Sequence, residues 1–168
     1  MRKLAFGFVA ISLLALNGCD KIEKALNPSS QEGASFSTTL STPATLISNG
    51  GSCHLDAING VVTKSATTAK AEPITIGGWA VDDTAGTIPN PVIIRLTAGS
   101  QVFYAETSER GPRPDVAKAL NNATFEQSGF NLTATLQAVP PGQYTLELLQ
   151  PTANALLVCP DQGQIIIQ

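Results

Sequence analysis

From about residue 53 onward the chain alternates apolar and polar residues with a period of two, the pattern of strands that bury one face. Phe130, Leu132, Ala134 and Leu136 are interleaved with Asn131, Thr133 and Thr135, which predicts a strand with one wet face. Tyr144, Leu146 and Leu148 repeat the pattern after a Pro140-Pro141-Gly142 turn. Ile74 to Val81 sets Ile74, Ile76, Gly78 and Ala80 on one face. Val92 to Thr97 and Gln101 to Thr107 flank a tight Gly99-Ser100 turn and read as a hairpin. Leu55 to Thr63, broken at Asn59-Gly60, then Ala155 to Cys159 and Gln164 to Ile167, supply further strands. About seven short strands with regular turn signals predict an all-β, antiparallel sandwich. One short helix is expected between Pro114 and Asn121. Pro114 suits the first helical position, Asp115 suits the positive end of the dipole, and Val116, Ala117 and Leu120 offer an apolar stripe.

The first residues follow a different pattern. Arg2 and Lys3 precede an apolar run from Leu4 to Leu16, too short to span a bilayer comfortably. The run ends in Leu16-Asn17-Gly18-Cys19. This box resembles the lipobox of bacterial lipoproteins. The resemblance implies cleavage after Gly18, a diacylglycerol on the Cys19 thiol and acylation of the new amine, so that residues 1–18 are a signal peptide and the mature protein is tethered to a membrane. Asp20, directly after Cys19, resembles the residue that retains some lipoproteins in the inner membrane, and the choice between inner and outer membrane stays open. Residues 19–52 are rich in Ser and Thr and poor in aromatics, and read as a lipidated N-terminus and flexible spacer before a domain spanning 53–168. Within the spacer, Phe36, Leu40, Leu46 and Ile47 could still furnish an edge strand.

Charge narrows the partners. The net charge of −3 includes Arg2 and Lys3, so a chain without residues 1–18 carries about −5 at neutral pH, which argues against nucleic acid. With Cys19 committed to lipid, Cys53 and Cys159 remain, and after export both face an oxidising compartment, where a disulfide is expected. It would join the first and last parts of the domain.

Three segments in order are more specific than any of them alone: Ile76-Gly77-Gly78-Trp79-Ala80-Val81-Asp82, then Arg113-Pro114-Asp115-Val116, then Gly129-Phe130. The order is similar to a "GWAxD … RPDV … GF" pattern of Ig-like β-sandwich modules appended to bacterial glycosyltransferases and cell-surface proteins. The resemblance implies an Ig-like sandwich over about residues 53–168 and little chemistry. Tyr144 is similar to the tyrosine corner of Greek-key sandwiches, whose phenol closes onto nearby backbone. Trp79 is expected as a plug between the sheets, with Gly77 and Gly78 making room for the indole; its alternative is an exposed platform for stacking a sugar. Arg113 and Asp115 are expected to clasp residues 108–116 onto the sheet by pairing with Asp82, Asp83, Glu106, Glu109 or Arg110, or else to form a glycan or carboxylate site.

Catalytic groups are scarce. His54 is the single histidine and is expected to be solvated, and Asp82-Asp83 reads as a turn feature because successive strand residues point to opposite faces. No metal or cofactor is expected, and no enzyme activity. The expected role is that of a non-catalytic binding or scaffolding module for an envelope protein assembly. The alternative is recognition of cell-envelope glycans by Trp79, Tyr104, Arg110, Arg113 and Asp115.

Overall fold

A computed structural model describes residues 33–41 and 46–168, apart from the side chains at 160 and 162. Cys19, the 1–18 segment and much of the spacer lie outside the described residues. Among the described residues ten strands form: β1 (Ala34–Ser35), β2 (Ile47–Asn49), β3 (Ser52–Ile58), β4 (Ser65–Thr68), β5 (Ile74–Val81), β6 (Val92–Ala98), β7 (Gln101–Thr107), β8 (Gly129–Thr135), β9 (Gly142–Pro151) and β10 (Leu156–Ile167). A helix, α1 (Pro114–Ala119), and a 3-10 turn, Ala123–Gln127, lie between β7 and β8. One sheet has the order β1-β8-β5-β3; the other runs β2-β10-β9-β6-β7, with β4 also on β10.

Period-two alternation builds the core between the sheets. Ile74, Ile76 and Ala80 of β5, with Leu132 and Ala134 of β8, face Ile94 and Leu96 of β6 and Leu146 and Leu148 of β9. Every one of these is essentially inaccessible to water. The chain is an Ig-like β-sandwich. It departs from the antiparallel expectation at its margins, where β1 runs parallel to β8 and both β2 and β4 run parallel to β10. Parallel neighbours need a long connection, and each of these short strands is joined to its partner through most of the domain. None of the three carries an apolar alternation of its own, which explains why ten strands form where about seven are legible.

The folded body extends N-terminal to the residue-53 boundary. Ala34 and Ser35 pair with β8 of the first sheet, and two residues later Ser37 exchanges backbone hydrogen bonds with Tyr104 on β7 of the second, at 2.7 and 2.9 Å. The segment therefore crosses from one sheet to the other. Phe36, at the crossing, is 1% exposed and belongs to the core. The opposite side, where β3 lies against β10, is closed by a Cys53–Cys159 disulfide with 6.1 Å between the Cα atoms.

The C-terminal strands expected as two segments form one strand, β10, interrupted by an irregularity. Val158 pairs with Leu149 and Gln162 with Glu147, so β10 uses two more residues than β9 between these points. The β6–β7 hairpin forms as expected, with Ala98 opposite Gln101 and Gly99 at φ 60°. In the helix, Val116 and Ala117 are buried, but Leu120 is its C-cap and 37% exposed, so the apolar stripe stops one residue short of the expected one.

Tyr144 closes its own turn. Its hydroxyl donates to the Pro140 carbonyl at 2.9 Å, and its ring meets Phe103 edge-on with centroids 6.1 Å apart. Tyr144→Phe keeps the ring and leaves that carbonyl without the hydroxyl. It is expected to cost about 1 kcal/mol of unfolding free energy, measured by urea denaturation.

Candidate functional site

The outer face of the first sheet carries the site. On β5 the residues between the core positions, Gly77, Trp79 and Val81, point away from the second sheet. Trp79 and Val81 pack with Val116, Ala117 and Phe125, a small separate core under α1 and the 3-10 turn. Trp79 is half-buried there. It is thus not the plug expected between the sheets, a place filled instead by Phe36, Phe130 and Tyr144.

The room left by Gly78 is taken by backbone. On β3, Leu55 pairs with Gly78 and Ala57 with Gly77, so Asp56 is the extra residue of a β-bulge. Bulges re-aim side chains, and this one places the Asp56 carboxylate beside Arg113, whose Nη1 donates to Asp56 Oδ2 at 2.6 Å. Arg113 also donates to Asp115, from Nε to Oδ1 at 2.9 Å and to Oδ2 at 3.3 Å, and from Nη2 to Oδ2 at 2.8 Å. Its backbone N–H donates to the Glu126 carbonyl at 2.6 Å, and Gly111 exchanges backbone bonds with Gly129. These contacts pin residues 108–113 to the sheet. The expected clasp forms, but with Asp56 and Asp115. Three of the other expected partners are engaged elsewhere: Asp82 accepts from Ala85 N–H, Asp83 from the Ser52 hydroxyl, and Glu106 from the Ser41 hydroxyl.

The clasp sets the charges. Hydrogen bonds from Arg113 hold the Asp115 carboxyl at about 2, and the Asp115 bonds together with the Asp56 charge raise the Arg113 guanidinium. The Asp115 carboxyl is lowered below its unfolded value of about 3.9. Its stabilising effect is therefore fully present above about pH 4 and is lost as pH falls through about 2. Arg113→Ala is expected to lower the melting temperature by a few degrees at pH 6 and by much less at pH 1.5, a comparison made by thermal melts of both proteins at both pH values. Equal losses at the two pH values would refute an ionic clasp.

Next to this clasp an open cleft of about 360 Å3 lies between residues 109–113 and the sheet. Gly77 and Gly129 contribute no side chain to it, and Asp56, Arg110, Arg113 and Asn131 line it. Arg110 is held differently from Arg113. Its Nη1 donates to the Ser128 carbonyl at 3.3 Å, whereas Nε and Nη2 are buried and have no hydrogen-bond partner among the described residues. Burial pulls this guanidinium down to about 10.

Trp79, Arg110, Arg113 and Asp115 thus share one face of the molecule. Tyr104 does not join them. It lies on the outer face of the second sheet, packed with Leu40 against Ile93, Leu149, Leu156 and Val158. The five residues do not form a single site.

A second polar group escapes sequence reading. His54 Nδ1 lies 3.0 Å from Asp161 Oδ2, and Lys64 pairs with the other carboxylate oxygen. The Leu55 N–H on β3 also donates to Asp161, at 2.7 Å. Burial raises the Asp161 carboxyl, but the bonds from Lys64 and Leu55 outweigh it and hold the group below the usual carboxylate range. His54 is therefore paired and not simply solvated. The group ties β3 to the irregular stretch of β10 beside the disulfide. Among the described residues no set of three His, Cys, Asp or Glu side chains is placed to hold a metal, and no helix is long and apolar enough to cross a membrane.

Comparison of the chain with models of known protein families and with curated proteins finds no match.

Proposed function

We propose that this chain is a membrane-anchored envelope lipoprotein, acylated at Cys19 and facing the periplasm, with Asp20 favouring the inner membrane. Its Ig-like body serves as a non-catalytic binding or scaffolding module for an envelope protein assembly, in keeping with its resemblance to modules appended to surface proteins. The observation that carries this reading is the Cys53–Cys159 disulfide, because such a bond persists in exported proteins and is rare in the cytosol. It agrees with the export signal read from Arg2 to Cys19. The paired charges at Arg113 and Asp161 and the two closed sides of the sandwich favour a rigid body that works by contact.

Two experiments test the reading. Globomycin is expected to leave a larger, uncleaved precursor, and processing indifferent to the drug would remove the anchor. Crosslinking in intact cells followed by recovery of the native lipoprotein is expected to bring down a reproducible envelope protein. Recovery of no such partner would count against the scaffold.

A specific observation also supports the second reading, recognition of cell-envelope carbohydrate. The cleft with an unpaired arginine lies on the same face as the half-buried Trp79. Tyr104 takes no part in it.

A further inference from the structure

Nε and Nη2 lie on one side of a guanidinium and form the fork that receives both oxygens of a carboxylate. In Arg113 that fork is filled by Asp115. In Arg110, three residues earlier, the same two nitrogens are buried and empty. Burying an unpaired charge is costly, and among the described residues no carboxylate forms an ion pair with Arg110. The side chain lines a cleft whose size suits a small ligand.

We propose that this cleft binds a small carboxylate-bearing sugar, its carboxylate held by the Nε/Nη2 fork of Arg110 and its ring lying over Gly77. The inference deepens the carbohydrate reading and rests on it. One fork suits a planar monoanion. A phosphate would call on a second cation, and Arg113 is already committed to Asp56 and Asp115. The ring has a flat bed because Gly77 presents no side chain on the outer face, while Trp79 stands two residues along the same face. Nε and Nη2 are covered in this conformation, so engagement requires the Arg110 side chain to turn into the cleft that it lines. Asp56 and Glu109 are the carboxylates of the chain that line the cleft. Asp56 is taken by Arg113, and Glu109 is the internal competitor.

The test is thermal melting of the whole protein with glucuronate, glucose or sodium sulfate at matched ionic strength. Glucuronate is expected to raise the melting temperature saturably, and glucose and sulfate are not. Arg110→Met should weaken glucuronate binding at least tenfold while melting no lower than the parent, since it removes a buried unpaired charge. Gly77→Val should also abolish the effect. A β-carbon at Gly77 meets only ordinary contacts, 3.5 Å from Asn131 Oδ1, so this variant fills the cleft without forcing the sheet apart. Glu109→Gln should leave binding intact or tighten it. A glucuronate effect that survives Arg110→Met, or an equal shift with sulfate, overturns the site. Binding of neutral glycans that is indifferent to Arg110→Met overturns the site but leaves carbohydrate recognition standing. No saturable response to any sugar sinks both. Stabilisation by an acetylated glutamyl peptide, with none by glucuronate, overturns the assignment to a sugar acid.

Discussion

Removing the disulfide, by Cys53→Ala with Cys159→Ala or by reduction, is expected to cost about 4 to 5 kcal/mol of unfolding free energy. The bond closes a loop with a sequence separation of 106 residues, and the chain-entropy model assigns a loop of about 100 residues roughly 4.7 kcal/mol. A domain of this size has roughly 5–15 kcal/mol in all, so the loss is a large share. Geometry adds to the entropic argument. Cys53 lies on β3, Cys159 lies on β10 and is fully buried, and the bond joins the sheets on the side opposite the crossing segment. Urea denaturation with and without reductant measures the effect. A midpoint unmoved by reductant, with free thiols confirmed, would mean that the His54–Asp161–Lys64 group and the core hold that side unaided.

Gly78→Ala should be nearly as damaging. A β-carbon at Gly78 would stand 2.2 Å from the His54 carbonyl oxygen and 3.1 Å from Phe130 Cζ. The first neighbour is backbone and cannot swing aside, so relief requires β3 to move off β5. The expected cost is about 3 kcal/mol, the upper end of overpacking penalties. Faster amide exchange is expected along β3, with little change in the β6–β7 hairpin. Gly77→Ala next door is the control. Its β-carbon meets only ordinary contacts, and a loss at Gly77 equal to that at Gly78 would show that strand propensity, and not the clash, is responsible.

The central architecture is legible because period two survives in β5 to β9. Ile74, Ile76 and Ala80, or Tyr144, Leu146 and Leu148, can satisfy their alternation only by facing a second sheet. The tyrosine corner is legible because Pro140 and Tyr144 are close in sequence, and the disulfide because Cys53 and Cys159 are the two cysteines left once Cys19 is read as a lipidation site. Trp79 could also have been placed. The alternation that turns Gly78 and Ala80 inward turns Trp79 outward, and the expectation of a buried plug set that rule aside for an analogy with other sandwiches.

What could not be read depends on irregularity. The bulge that brings Asp56 to Arg113 adds a single residue to β3, and a one-residue shift leaves no mark in composition or spacing. His54, Lys64 and Asp161 meet because β10 departs from regular pairing between Val158 and Gln162. The strands β1, β2 and β4 are two to four residues long and take their conformation from the neighbours they join. The unpaired Arg110 fork is a property of packing, and no sequence pattern distinguishes it from the filled fork of Arg113.

The crossing segment and the disulfide together fix how the body bears tension. A pull between residue 33 and residue 168 reaches the two-residue β1, Phe36 and the Ser37 bridge first, and these short pairings with Leu40 and the Ser41–Glu106 bond are what hold that segment. Beyond that point the force runs from Cys53 through sulfur to Cys159 and bypasses everything between them. The stretch that carries the cleft and its arginines lies off the load path, so a body pulled from residue 33 can lengthen at one end while the face that holds Arg110 and Arg113 keeps its shape.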